Sequence, residues 1–122
     1  MAERHDIDTI DRVVHEPVRF RLLSCLFVVE SADFLFLTRQ LKLTQGNLSS
    51  HMTRLEAAGY IDVEKTVDNR RPRTLLRLTP AGRRALEAYV SGMQQLLDTV
   101  EVPARKRTNA RRPQRPLKPR TV

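Results

Sequence analysis

The sequence predicts a mainly α domain with one small β-hairpin, an α+β fold, and three observations carry that class. Apolar residues recur at three- and four-residue spacing from Ile7 to Leu55 and again from Leu86 to Val100, but alternate singly between Tyr60 and Leu78. Capping residues or prolines stand where each helical period begins, at Pro17, Asp33, Thr44, Thr79 and Pro80. The 122 residues leave room for one small domain and a tail, and such a domain can bury a core without disulfides, as a single cysteine requires.

The helical period opens at Ile7, Ile10, Val13 and Val14, with Asp6 and Asp8 placed where carboxylates favour a helix N-terminus, so a short helix is expected there. Glu16 and Pro17 end it and start a second helix to about Val29, with Val18, Leu22, Leu23, Leu26 and Phe27 as the buried side of a central core helix. Glu30 to Asp33 reads as a turn, and Asp33 as the cap of a mostly apolar helix through Phe34, Leu35, Leu37 and Leu41. Lys42 and Leu43 form a connection short enough for two helices that cross steeply, a helix-turn-helix.

The helix that follows, 45–58, is capped by Thr44 and closed by Gly59, a residue suited to left-handed backbone. Leu48, Met52 and Leu55 give it a buried side, and Gly46, Asn47, Ser50, Thr53 and Arg54 lie away from that side. A free side of small hydrogen-bonding residues beside one arginine is what a helix needs to enter a major groove and touch base edges. Glycine at position 46, in the first turn, lets the backbone come close to a phosphate. Past Gly59, Tyr60–Lys65 and Thr74–Leu78 read as strands joined by residues 66–73, a hairpin with an extended basic tip. Thr79 and Pro80 open a last helix with a long apolar stripe, which Gly92 weakens by about 1 kcal/mol relative to alanine without ending it. After the short opening helix, three helices, a basic hairpin and a long final helix make a winged helix-turn-helix within residues 1–102.

Charge divides the chain in the same way. The net charge of +8 and pI of 10.7 point to a polyanionic partner. Residues 39–84 hold 10 Lys/Arg against 4 Asp/Glu and residues 103–122 hold 8 against none, whereas residues 1–38 and 85–102 are both net acidic. Arg39, Lys42, Lys65 and Arg77 are therefore candidate phosphate contacts. The last 20 residues, rich in proline and arginine and poor in large apolar side chains, cannot bury enough surface to fold alone and read as a disordered basic tail.

Two linked stretches resemble a known family. Leu43 to Ile61 (LTQGNLSSHMTRLEAAGYI) looks like the recognition-helix motif of the MarR and ArsR groups of repressors. Arg70 to Arg83 (RRPRTLLRLTPAGR) is similar to the wing and following helix start of small single-domain winged-helix regulators related to MarR, and the likeness spans roughly residues 15–97. The resemblance implies a dimeric, sequence-specific transcriptional regulator, commonly a repressor. It implies that Gln45, Asn47, Ser50 and Arg54 face base edges and that Ser49 and His51 lie near the backbone or groove edge. It further implies that the wing, with Asn69, Arg70, Arg71 and Arg73, reaches the minor groove or its phosphates. Ser50 departs from the pattern, since family members often carry Arg or Lys there, which shifts base reading toward Arg54 and the wing.

Double-stranded DNA is thus the expected partner, and a homodimer is expected through Leu86, Tyr89, Met93, Leu96 and Val100, more apolar surface than this small domain can cover. No catalytic triad, P-loop or dinucleotide glycine motif occurs, so no enzyme activity and no cofactor are expected. The three histidines are scattered, and Phe36 to Leu41 lacks the paired cysteines of ArsR-type sensors, so no metal is expected either. Cys25, inside an apolar run, reads as a buried inert thiol. With no signal pattern and no apolar run near the roughly 20 residues that span a bilayer, a cytoplasmic, nucleoid-associated protein is expected. The dimer cleft beside the last helix is the one place left for a small-molecule effector. The rival readings are a winged helix turned to protein interaction in a larger assembly, and nonspecific nucleic-acid binding by the tail.

Overall fold

The computed structural model describes residues 10–100, in which four helices and a three-stranded antiparallel sheet share one core. Helix α1 spans Pro17–Val29, strand β1 Ser31–Asp33, helix α2 Phe34–Leu41 and helix α3 Gln45–Ala57. Strands β2, Ile61–Asp68, and β3, Arg71–Leu78, form the hairpin, and helix α4 runs Pro80–Asp98.

Local chemistry sets the helix ends. The Glu16 side chain accepts from the Arg19 amide at 2.7 Å, Asp33 from Leu35 and Phe36 at 3.0 and 3.3 Å, Thr44 from Asn47 at 3.0 Å and Thr79 from Gly82 at 2.9 Å. Helix α2 stops where Lys42 turns left-handed, at φ 57° and ψ 52°, which lets the Leu43 amide donate to the Thr38 carbonyl at 3.0 Å. Gly59, at φ 80°, does the same after α3, where the Tyr60 amide reaches the Leu55 carbonyl at 3.0 Å.

Helix α1 is the hub. Leu22, Leu23 and Leu26 are fully buried, and they sit among Leu37, Leu41, Leu48, Leu55, Leu76 and Leu86 from the surrounding elements. Of its expected buried side, Val18 and Phe27 are only half-buried, while Arg19, at 8% exposure, is inside. Cys25 is also half-buried, packed against the edge of the core.

Three expectations give way here. Residues 30–33 are not simply a turn, because Ser31, Ala32 and Asp33 pair with Arg77, Leu76 and Leu75 of β3, and the Leu78 amide donates to the Glu30 carbonyl at 3.1 Å. The hairpin tip is not an eight-residue loop. Strands β2 and β3 pair from Ile61 and Leu78 out to Asp68 and Arg71, leaving Asn69 and Arg70 as a two-residue turn with φ of 53° and 65°, the mirror-image geometry that matches strand twist. The early helix falls partly on residues 1–9, outside the described residues, and what is described of it is a turn at 12–14.

The sheet has an apolar side, with Ile61, Leu76, Leu78 and Ala32 against the helices, and an outward side holding Asp33, Asp62, Glu64, Asp68, Arg71, Arg73 and Arg77. Helix α4 leaves the sheet so tightly that a β-carbon on Gly82 would stand 2.1 Å from the Tyr60 carbonyl oxygen. Beyond Tyr89 the helix outruns the core, and Leu97 and Val100 are 62% and 58% exposed.

Candidate nucleic-acid interface

The site is built on α3. Leu48 and Leu55, seven residues apart, are fully buried and fix the rotation of the helix. Gln45, Asn47, Ser50 and Arg54 are therefore all exposed, as are Gly46 and Ser49. Asn47, Ser50 and Arg54 follow at spacings of three and four residues and line one stripe, while Gln45 and Ser49 lie along the other edge of the exposed face, beyond Gly46 and Thr53. The Thr53 hydroxyl is spent on the Ser49 carbonyl, to which it donates at 3.0 Å.

The hairpin stands next to the start of this helix. An open cleft of about 850 Å³ is lined by Gln45 on one side, by Asp33 and Leu35 at the base, and by Asn69, Arg71 and Arg73 on the other. Arg70 and Arg71 are exposed at the tip, and among the described residues neither makes an ion pair. Arg39 and Lys42 are exposed on α2 and its cap, and Lys65 on β2. Arg77 stands 3.6 Å from Glu64 on the outward side of the sheet, so its charge is partly answered within the protein.

Two expected contacts are turned elsewhere. Arg73 donates through Nε to Asp33 and through Nη1 to Asp68, both at 3.3 Å, and is not a free cation of the wing. His51, expected near a groove edge, is half-buried and makes contacts within the protein, with Nδ1 3.1 Å from Arg19 Nη1 and 3.8 Å from Glu16 Oε1. The helical period explains the second, because His51 follows Leu48 by three residues and precedes Leu55 by four.

Arg19 is the polar residue that sequence reasoning missed. Its Nε donates to the Val13 carbonyl at 2.6 Å, and with the Nη1 contact to His51 it ties α3 to the segment before α1. Its spacing was the available signal, since it lies three residues before Leu22 and four before Leu23. Asp11 was missed as well. Its carboxylate accepts from the amides of Val13 and Val14 and from the Tyr60 hydroxyl, and that last hydrogen bond, with burial and the Asp11 charge, pushes the Tyr60 pKa up to about 12.

The expected dimerisation residues divide. Leu86 is buried in its own core, and Tyr89 packs on Phe20 with ring centroids 5.5 Å apart while its hydroxyl meets His15 Nδ1 at 2.8 Å. Leu86 is thus unavailable to a second chain; Met93 and Leu96 are half-covered, and Val100 is exposed. A second cleft, of about 660 Å³, opens between Asp11, Tyr60 and α4, with Arg84, Tyr89 and Met93 on its wall. Among the described residues no group of three or more His, Cys, Asp or Glu is placed to hold a metal, and no helix is long and apolar enough to cross a membrane.

The model of the winged helix DNA-binding domain family matches residues 18–97. An uncharacterised protein of Methanocaldococcus jannaschii is 32% identical over 90 residues, which cover 74% of this chain and 98% of that one. Among solved structures, the transcriptional regulator homologue of Pyrococcus horikoshii OT3 superposes with a TM-score of 0.75 at 28% identity, covering 84% of this chain and 100% of its own. Bordetella bronchiseptica BpsR, whose DNA binding is regulated by 6-hydroxynicotinic acid, superposes with a TM-score of 0.63 at 22% identity over 89% of this chain and 86% of its own.

Proposed function

Because the chain belongs to the winged helix DNA-binding domain family, we propose that it is a sequence-specific transcriptional regulator, acting as a repressor. The observation that carries this reading is the rotation of α3, which buries Leu48 and Leu55 and leaves Gln45, Asn47, Ser50 and Arg54 outward, with Gln45 facing the wing across a cleft. In a major groove, Gln45 and Asn47 suit adenine, Arg54 suits guanine and Ser50 several base edges, while Arg70 and Arg71 at the hairpin tip answer the minor groove or its phosphates. Arg39, Lys42, Lys65 and Ser49 supply backbone contacts that set register without reading sequence.

Two copies joined through the exposed end of α4, at Met93, Leu96, Leu97 and Val100, present two recognition helices to successive major grooves about 34 Å apart and so favour a near-palindromic site. An effector would sit in the cleft between Asp11, Tyr60 and α4, where it touches both the segment before α1 and the helix that pairs the copies. The cytoplasm, on the nucleoid, is where such a protein acts.

Selection of binding sites from a random duplex library by the full chain, followed by titration of the selected and a scrambled duplex, tests this. Arg54→Ala is expected to cost about 1 to 3 kcal/mol on the selected duplex and far less on the scrambled one. An equal loss on both would reduce α3 to a backbone contact and leave a nonspecific binder.

A further inference from the structure

We propose that Arg73 is a positioning residue, a strut that sets the height of the wing over the recognition helix, and that Asp33 is its anchor. The inference rests on the DNA-binding reading above and names what makes that interface rigid. Strand β1 supports β3 only from Leu75 to Arg77, so from Thr74 outward the wing is a two-stranded ribbon, a form that twists freely and is marginal by itself. Arg73 lies on that unsupported part, and its side chain runs diagonally across the outward side of the sheet to both neighbours. Its Nη1 holds Asp68, next to the tip, and its Nε holds Asp33, the last residue of β1.

Asp33 gives the anchor its direction. One carboxylate oxygen accepts from Arg73 and the other from the Leu35 and Phe36 amides, so a single side chain caps α2 and holds the wing. Helix α2 is the first of the helix-turn-helix pair and is joined to α3 by three residues, which makes Asp68, Arg73, Asp33 and α2 a continuous path from the tip to the recognition helix. The charges argue the same way. A guanidinium between two carboxylates sits in a local excess of one negative charge, which disfavours a phosphate beside it, whereas Arg70 and Arg71 carry no such partner among the described residues.

Asp33→Asn separates the two duties of the anchor, because asparagine caps a helix about as well as aspartate but gives Arg73 no charge to hold. In the full chain, with the selected and scrambled duplexes as probes, this variant is expected to keep its melting temperature and its salt slope. Hydrogen exchange at Thr66 and Arg73, the amides that face each other across the outer ladder, should accelerate, and discrimination between the duplexes should fall about fivefold, the size of coupling between contacting side chains. Arg73→Lys, which keeps the charge but cannot reach both carboxylates, should behave in the same way and carries the test if Asp33→Asn melts early. Arg71→Gln, in contrast, should lower the salt slope by about 0.9. Tighter binding with a steeper salt slope in Asp33→Asn would mean that Arg73 had been released onto a phosphate, and would overturn the strut; so would full activity in Arg73→Lys, or unchanged exchange at the tip. A chain that selects no duplex at all overturns the DNA reading and, with it, this role for Arg73.

Discussion

At Gly46 nothing beyond the adjoining residues and the helix's own backbone lies within 4 Å of where a β-carbon would stand, so packing places no demand on that glycine. It nevertheless occupies the first turn of α3, where glycine is a worse helix former than alanine. The room left there is on the exposed side, next to Gln45 and Asn47, where a duplex backbone would pass. Gly46→Ala is therefore expected to raise stability by about 0.5 kcal/mol, visible as a melting temperature a few degrees higher, and to weaken binding to the selected duplex. A stabilised variant with unchanged affinity would show that nothing approaches the helix there. At the same scale, His51 and Arg73 teach the opposite lesson, since both carry the right chemistry for nucleic acid and both are committed inside the protein, to Arg19 and to two carboxylates.

Among the elements, those whose ends depend on neighbouring residues were legible in the sequence. Asp33, Thr44 and Thr79 cap as their chemistry requires, and Gly59 is left-handed. Strand β1 was not legible, because Ser31, Ala32 and Asp33 carry no strand pattern and become one only when Leu75, Leu76 and Arg77 arrive from more than 40 residues away. The hairpin was read too short because Asn69 and Arg70 turn without a glycine and Pro72 sits inside β3 opposite Val67. Of the site, the exposed stripe of α3 followed from the helical period alone, whereas the ties of Arg19, Asp11 and Asp33 needed the tertiary fold. The junction between hairpin and α4 is closely packed. There the Thr79 hydroxyl donates to the Gly59 carbonyl at 2.7 Å, the Thr79 amide donates to the Tyr60 carbonyl at 3.1 Å, and Gly82 packs on that same carbonyl. Gly82→Ala must push backbone away from backbone, so thermal or urea unfolding is expected to show a loss of about 2 kcal/mol or more, against the small gain that alanine normally brings to a helix. Unaltered stability in that variant would mean that the first turn of α4 shifts at no cost.

For the whole molecule, charge is sorted by element rather than spread. The span 39–84, which holds α3 and the wing, is basic, and the flanking spans 1–38 and 85–102 are acidic, so the positive charge is concentrated in the stretch that carries those two elements. Residues 103–122 add 8 cations and no acid, and they lie outside the described residues. A chain segment of that composition attracts phosphates without choosing among bases, and every phosphate it neutralises adds about 0.9 to the slope of log affinity against log salt. The domain and the tail should accordingly divide the labour, with α3 setting which duplex is preferred and the tail setting how tightly any duplex is held. Ending the chain after Val102 is expected to lower affinity for the selected and scrambled duplexes by the same factor, to flatten both salt slopes, and to leave their ratio as it was. Titration at several salt concentrations separates the two contributions. A changed ratio would give the tail a part in reading sequence, and an unchanged slope would remove it from the complex altogether.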